Sequence, residues 1–306
     1  MSLNISKPNL TSASSNACWA INVKHCCHGV AFWRITRVEE DSMNIQSIDN
    51  PNPKKFVSYN VNGIRAAINR GFMQWLVAVD PDVIGLQEVK CIDNQLDMNI
   101  FTDLGYHVYW HPAVKKGYSG VAILSKVKPD HVEYGMGVNH YDDEGRILRA
   151  DFNGLSFMSA YFPSGTSGDV RQQFKYRFLD DIYGYAQDLK EKLPLLIIGG
   201  DFNICHRPID IHNPVANKNS SGFLPEERAW MEKFITTGFD DSFRLFNQEA
   251  HHYTWWSYRA NARNNNKGWR IDYHMTTPAL RERIKRSIIL PDAVHSDHCP
   301  ILLELH

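Results

Sequence analysis

The 306-residue chain has no C-x-x-C pair, and its six cysteines stand at irregular spacings. Neither a redox dithiol nor a disulfide framework is encoded, which predicts a reducing compartment. Cys91, Cys205 and Cys299 read as core thiols. Apolar runs of membrane-spanning length are missing, as is the apolar stretch and cleavage site of a secretory signal, so the expectation is a cytoplasmic protein with no membrane contact. Excess charge is missing too: 33 Lys and Arg stand against 34 Asp and Glu, a formal net charge of −1. Whole-chain electrostatics therefore attract no polyanion. Such a partner has to meet a local basic surface, or a carboxylate pocket neutralised by a divalent cation. What is present is apolar: 43% hydrophobic and 12% aromatic residues suffice for one large core or two modest ones.

Residues 1–54 differ from the rest. They are rich in Ser, Asn and Pro, show no clear periodicity and end in the linker-like Asp49-Asn50-Pro51-Asn52-Pro53, so a poorly ordered N-terminal extension is expected there. No acidic residue precedes Glu39, as in a transit peptide, but arginines are few, and a start at Met43 is an equal alternative. His25-Cys26-Cys27-His28 holds metal-ligand residue types, yet adjacent side chains diverge and no partner set lies at finger spacing, so it receives no role. From residue 55 to 306 short apolar runs alternate with helical stretches, which predicts one α/β domain of two packed sheets with helices. Strands are predicted over residues 56–59, 83–86, 107–110, 121–124, 155–161, 195–198, 269–273 and 301–304. Helices are predicted over 71–79, 170–192 and 225–236, the last opening on Pro225-Glu226-Glu227.

The chemistry collects where these runs end. Phe-Val-Ser-Tyr leads to Asn60 and Asn62, Val-Ile-Gly-Leu-Gln to Glu88, and Leu-Leu-Ile-Ile-Gly-Gly to Asp201 and Asn203; Asp272 and the His295-Ser296-Asp297-His298 run follow later. Each alone is an ordinary strand-ending turn residue. Together, five run ends terminating in carboxylate, amide or imidazole are what a site on a sheet edge requires. In extended chain residues i and i+2 share a face, so Asn60 with Asn62, and Asp201 with Asn203, are expected to aim into one pocket.

These groups suit phosphodiester hydrolysis. Glu88 offers a hard oxygen to Mg²⁺ or Mn²⁺, with Asn62 as a neutral second ligand. Asp201 suits deprotonating or orienting water, Asn203 fixing that water or a phosphate oxygen, and His298 stabilising the anionic transition state once Asp272 orients it. Arg65, Arg70, Lys90, Lys115 and Lys116 follow the site-bearing strands and would form a basic rim, although each singly is also an ordinary solvated charge.

From about Lys55 to the C-terminus the chain closely resembles the exonuclease III family of abasic-site endonucleases, within the endonuclease/exonuclease/phosphatase superfamily. The motifs are Asn60-Val-Asn-Gly-Ile-Arg65, Gly85-Leu-Gln-Glu-Val-Lys90, Gly117-Tyr-Ser-Gly-Val-Ala122, Tyr161-Phe-Pro-Ser-Gly165, Gly200-Asp-Phe-Asn203, Gly222-Phe-Leu-Pro-Glu-Glu-Arg228, Gly268-Trp-Arg-Ile-Asp-Tyr273 and Ser296-Asp-His-Cys-Pro300. The resemblance implies a four-layer α/β sandwich of the DNase I-like kind, with two facing, mostly antiparallel sheets flanked by helices. It implies Asn62, Glu88 and Asp297 at a Mg²⁺ site (Mn²⁺ a substitute), Asp201 with Asn203 at the nucleophilic water, and Asn60, Tyr161 and His298 at the phosphate, with Asp272 behind His298. It implies Trp255, Trp269 and Ile271 as an apolar pocket for a flipped, base-less sugar, with Trp256 in the core. Tyr118, Ser164, Arg259, Arg263 and Lys267 join Arg65, Arg70 and Lys90 as DNA-binding residues. The expected partner is double-stranded DNA with abasic sites or blocked 3′ ends, bound by a monomer. The implied reaction is incision 5′ to an abasic site, accompanied by 3′ phosphatase, 3′ phosphodiesterase and 3′→5′ exonuclease activity. The rivals are a nonspecific DNase or phosphatase of the same superfamily, and a nucleic-acid-binding module that has lost turnover.

Overall fold

The computed structural model describes residues 52–306; the extension before Asn52 and its His25 to His28 tract lie outside the described residues. The strands are β1 (Lys55–Asn60), β2 (Val83–Gln87), β3 (His107–His111), β4 (Val121–Ser125), β5 (His131–Tyr134), β6 (Ile147–Phe152), β7 (Leu155–Tyr161), β8 (Leu195–Asp201), β9 (Asp240–Asp241), β10 (Asp272–Thr276), β11 (Ile284–Ile289) and β12 (Ile301–Leu305). They form two six-stranded sheets, ordered β11-β12-β1-β2-β4-β3 and β5-β6-β7-β8-β10-β9. Each sheet has one parallel pair at its centre, β1 with β2 and β7 with β8, and is otherwise antiparallel.

Strand alternation builds the layers. Phe56, Val83, Val121 and Ile123 of the first sheet meet Leu148, Ala150, Phe157 and Ile197 of the second in a core between the sheets. The opposite faces carry Val57, Tyr59, Ile84 and Leu86 against the helices Ile64–Asn69 and Phe72–Val79. Those of the second sheet carry Met158, Ala160 and Ile198 against the helices Asp169–Lys192 and Pro225–Thr236. The result is the four-layer sandwich. Among the described residues no helix is long and apolar enough to cross a membrane.

The inter-sheet face changes character along the strands, and this places the site. On β1 the period of two runs Phe56, Ser58, Asn60; on β8 it runs Ile197, Gly199, Asp201; on β7, Phe157, Ser159, Tyr161. Ser58 Oγ donates to Gln87 Oε1 and Gln87 Nε2 to Ser159 Oγ, at 3.3 and 2.9 Å, so buried polar groups bridge the sheets halfway along. Beyond that bridge stand Asn60, Tyr161 and Asp201. Register pairs Tyr161 with Asp201, and Asp201 with Asp272.

The prediction of a strand over 269–273 is corrected to Asp272–Thr276. Trp269 instead makes isolated bridges to Trp255 and Ile211. The prediction missed β5, β6, β9 and β11.

One inter-sheet residue is unfavourable. His274 is buried against Gly199 and Phe157, and neither ring nitrogen has a hydrogen-bond partner. Burial alone pushes its pKa down to about 3. A folded-state pKa below the unfolded value of about 6.5 means that stability is complete above that pH and is lost as pH falls towards the folded pKa. His274→Phe is therefore expected to raise unfolding free energy by about 1–3 kcal/mol at pH 7.5. Below pH 6.5 the advantage should grow by about 1.4 kcal/mol per pH unit. Urea midpoints of both proteins at pH 7.5 and 5.5 check this; a gap that does not widen at pH 5.5 rules it out.

Candidate active site

Two short turns deliver the polar groups. Asn62 N donates to Asn60 Oδ1 at 3.0 Å after β1, and Asn203 N to Asp201 Oδ1 at 2.8 Å after β8. These are Asx-type turns, in which a side chain replaces a backbone acceptor. Asn62 and Asn203 are left-handed, with φ of 45° and 53°, and so is Glu88 at 52°. The i, i+2 pairs thus meet by turn geometry rather than by the strand alternation expected above. Left-handed backbone is unfavourable for non-glycine residues, less so for asparagine, and with Lys90 at 50° four such residues gather at this locus.

Asn60 joins the halves of the site: its Nδ2 donates to Glu88 Oε1 and to Asp201 Oδ2, both at 2.9 Å. Asn62 Nδ2 donates to Asp297 Oδ1 at 2.9 Å, and Trp255 Nε1 to Asp297 Oδ2 at 3.0 Å. His298 Nδ1 lies 2.9 Å from Asp272 Oδ2, and its Nε2 3.8 Å from Asp201 Oδ2. Asn203 Nδ2 donates to Phe162 O at 2.9 Å and to Asp201 Oδ2 at 3.2 Å. Thr254 Oγ1 accepts from Ile271 N and Asp272 N, each at 3.1 Å, and so fixes the start of β10.

The electrostatics separate these groups by role. Burial disfavours a charged His298, but the Asp272 charge and hydrogen bond, then Asp201 and Asp297, outweigh it and push its pKa up to about 10, leaving an imidazolium at neutral pH. Burial pushes Asp201 up; the His298 charge opposes this, while Asp272 and Glu88 add to it. For Glu88 burial is overcome by the Lys90 ammonium and by hydrogen bonds from Asn60 and Lys90, so its carboxyl lies below the usual range. Burial and then the Glu88 charge hold the Tyr161 phenol well above its ordinary pKa, as a neutral donor.

A cation fits here. Glu88, Asp201 and His298 place donor atoms within 4.8 Å of one another, and with His298 protonated the two carboxylates are the ones open to a cation. Glu88 Oε2 and Asn62 Oδ1 converge on the single Lys90 ammonium at 2.6 and 2.5 Å, so the two oxygens are already placed to share one positive charge. An oxygen donor set of this kind suits a hard divalent ion.

One cavity of about 770 Å³ collects Glu88, Tyr161, Asp201, Asn203, Asp297 and His298 with Trp255, Trp269 and Ile271. The two indoles meet edge to face, with centroids 5.9 Å apart. Trp256 is buried. Ser164 lines the same cavity, and Arg65, Arg70, Arg259 and Lys267 are exposed.

Two basic residues do not sit on the expected rim. Lys90 turns inward onto Glu88 and Asn62. Arg263 donates to Ser296 O, Pro291 O and Ala293 O at 3.0, 2.9 and 2.6 Å and lies 4.7 Å over the Trp256 ring, so it secures the loop carrying Asp297 and His298. Tyr118 is likewise engaged, accepting from Arg171 Nη2 at 2.6 Å.

Sequence reasoning missed Arg146, which donates to Tyr161 O at 2.8 Å, stacks 4.9 Å over its ring and is anchored by Glu144. It also missed Thr254, Lys175 and Glu227. None of these stands at an apolar run end, the signal that exposed the others.

The family model described as endonuclease/exonuclease/phosphatase matches residues 57–298, which takes in every one of these site groups. The chain belongs to this family. Within it, an exodeoxyribonuclease of Bacillus subtilis is 42% identical over 81% of this chain and 98% of its own length. The zebrafish (Danio rerio) DNA repair nuclease APEX1 is 40% identical over 82% of each. An AP endonuclease from Archaeoglobus fulgidus superposes with a TM-score of 0.75 at 30% identity, over 82% of this chain and 99% of that one. A Neisseria 3′ phosphatase bound to product DNA superposes at 0.77 with 26% identity, over 83% and 99%. Family membership places this chain among the exonuclease III-like abasic-site endonucleases, as metal-dependent nucleases.

Proposed function

We propose that residues 55–306 are a Mg²⁺-dependent DNA repair nuclease that hydrolyses the phosphodiester 5′ to an abasic site and leaves a 3′ hydroxyl, with 3′ phosphatase, 3′ phosphodiesterase and 3′→5′ exonuclease activity as companions. The observation that carries this is the joining of an aromatic wall to the acid–base centre: Trp255, which faces Trp269, donates through its indole N–H to Asp297, next to His298. A base-less sugar presents an apolar face and no base, which such a wall accommodates beside a reacting phosphate.

Glu88 and Asn62, with Asp297 supporting through Asn62, would hold a divalent cation, which would supply positive charge to offset the negative charge developing on the phosphate. Asp201 takes the proton of the attacking water, which Asn203 orients. Its raised pKa brings it close to the working pH, where a general base is most effective. The His298 imidazolium, held by Asp272, and the neutral Tyr161 phenol donate to phosphate oxygens whose charge grows in the transition state. Asn60 keeps Glu88 and Asp201 at a fixed separation. Arg65, Arg70, Arg259 and Lys267 meet backbone phosphates of double-stranded DNA.

A labelled duplex with one abasic analogue, incubated with Mg²⁺ or EDTA beside an intact duplex, tests the proposal. Incision at the lesion only with Mg²⁺ is expected. Equal cutting of the intact duplex establishes a nonspecific DNase instead, trimming from 3′ ends alone makes exonuclease the main activity, and binding with no cleavage leaves a module without turnover.

A further inference from the structure

A fully buried ion pair lies beneath the cleft. Lys175, on the helix Asp169–Lys192, and Glu227, on the helix Pro225–Thr236, are wholly inaccessible, with Nζ and Oε1 2.5 Å apart. Withdrawing two such charges from water costs several kcal/mol each, and a well-packed apolar pair of the same volume is often as stable. Stability alone therefore does not explain the pair. Its remaining contacts do.

Lys175 Nζ donates to the carbonyl oxygen of Asn203 at 2.8 Å, on the residue whose left-handed backbone follows Asp201. Glu227 Oε2 accepts from Gly222 N and Leu224 N at 2.6 and 3.0 Å. Glu227 Oε1 also accepts from Gln172 Nε2 at 3.1 Å, and Gln172 Oε1 accepts from Ser221 Oγ at 2.7 Å. Asn203, Gln172, Ser221, Gly222 and Leu224 all line the cavity. Gly222 is pressed into place: a Cβ there would lie 2.9 Å from Trp269 Cζ3 and 3.1 Å from Asn203 O. The pair thus grips the water-holding loop with one end and the loop backing Trp269 with the other. No apolar replacement can make these bonds.

We propose that Lys175 and Glu227 are positioning residues that hold the Asn203 loop and the Gly222–Leu224 wall at one separation, and so set both turnover and the preference for a base-less sugar. The preference rests on the abasic reading above; the effect on turnover does not.

The test is the double variant Lys175→Met/Glu227→Gln, which removes both charges with side chains of similar length and leaves an amide oxygen for Gly222 N and Leu224 N. On the abasic duplex kcat is expected to fall about 10- to 100-fold, as for a displaced catalytic group. KM should stay within about 2-fold, since uniform binding is untouched. The ratio of abasic to intact duplex cleavage should fall about 10-fold. A folded double variant that loses thermal stability but keeps wild-type kcat and selectivity overturns the proposal. Ser221→Ala, at the partly exposed end of the network, covers a double variant that does not fold: its abasic-to-intact ratio should fall, and an unchanged ratio counts against the proposal. Wild-type protein that fails to incise the abasic duplex overturns the abasic reading instead, and the kcat comparison is then made on the 3′-end substrate that the wild type cleaves.

Discussion

Asp201→Asn is expected to lower kcat for phosphodiester hydrolysis about 10²- to 10⁴-fold, the usual worth of a positioned general base. The amide keeps an oxygen for Asn203 N, so the turn after β8 is retained. What disappears is the ability to take a proton, together with the Oδ2 acceptor that Asn60 Nδ2 and Asn203 Nδ2 share. Two opposed effects set the stability of the variant, and the first follows from the sign of the pKa shift. Burial raises Asp201, and Asp272 and Glu88 raise it further against the His298 charge. A carboxyl raised on folding contributes stability that is present below its unfolded pKa of about 3.9 and is lost as pH rises through its folded value. At neutral pH the wild type carries that penalty and the neutral amide does not, but the amide sets an N–H₂ group against the Asn60 and Asn203 donors, which offsets the relief. Loss of rate in a variant that still melts cooperatively separates removal of a catalytic group from damage to the fold. Turnover in the wild type should rise with pH as Asp201 ionises, and this limb should be absent in the variant. Steady-state kcat from pH 5.5 to 9 and melting curves in EDTA supply both readings. A variant within 10-fold of wild-type kcat would remove Asp201 from the base role.

The second large effect is expected at Glu88. Glu88→Gln keeps the shape and an acceptor for Asn60 Nδ2 but removes the one anionic ligand held in the ionised form by Lys90. Lewis-acid stabilisation by a cation is worth several kcal/mol, so a loss of about 10²- to 10³-fold in kcat/KM is expected at limiting Mg²⁺. Part of it should return at high Mg²⁺ as mass action refills a weakened site. Asn62→Ala removes a neutral ligand and should cause a smaller loss. Mn²⁺ binding followed by electron paramagnetic resonance, beside incision across a Mg²⁺ series, distinguishes lost affinity from lost chemistry. If Glu88→Gln binds Mn²⁺ as tightly as the wild type, the cation is held elsewhere.

The legible and illegible parts of the chain differ for physical reasons. Strands β2, β4 and β8 could be read because both faces are buried and their sequences are near-continuous apolar runs, and β1 because only Ser58 interrupts its run. Strand β6 was missed because Arg149 and Asp151 interrupt its pattern; they sit on one face and pair with each other at 3.0 Å. In β11, Lys285 and Arg286 broke the pattern, and both find Glu304 across the ladder in β12, at 2.7 and 2.6 Å. Edge strand β5 buries too little to leave a pattern. Within the site, groups at run ends announced themselves, since a carboxylate or amide closing an apolar run is conspicuous. Lys175 and Glu227 lie inside helices, where a charge reads as a solvated face until the partner, 52 positions away, is seen opposite. Lys90 and Arg263 show the converse. A basic residue beside a site looks like a phosphate contact in sequence, and only three-dimensional proximity to carboxylate or carbonyl oxygens reveals an inward orientation.

Asn60 and Glu88 belong to one sheet, Tyr161, Asp201 and Asp272 to the other, and the Asn60 amide bonds a carboxylate from each. Neither sheet alone carries a reacting set. A nascent chain that has completed only its second sheet, while the first still awaits β11 and β12, or a heat-damaged molecule in which the layers have slid apart, holds only part of the reacting set. Competence to cut a phosphodiester therefore depends on the packing of the two sheets as much as on any one side chain, and conditions that loosen that packing should abolish turnover before they unfold either sheet.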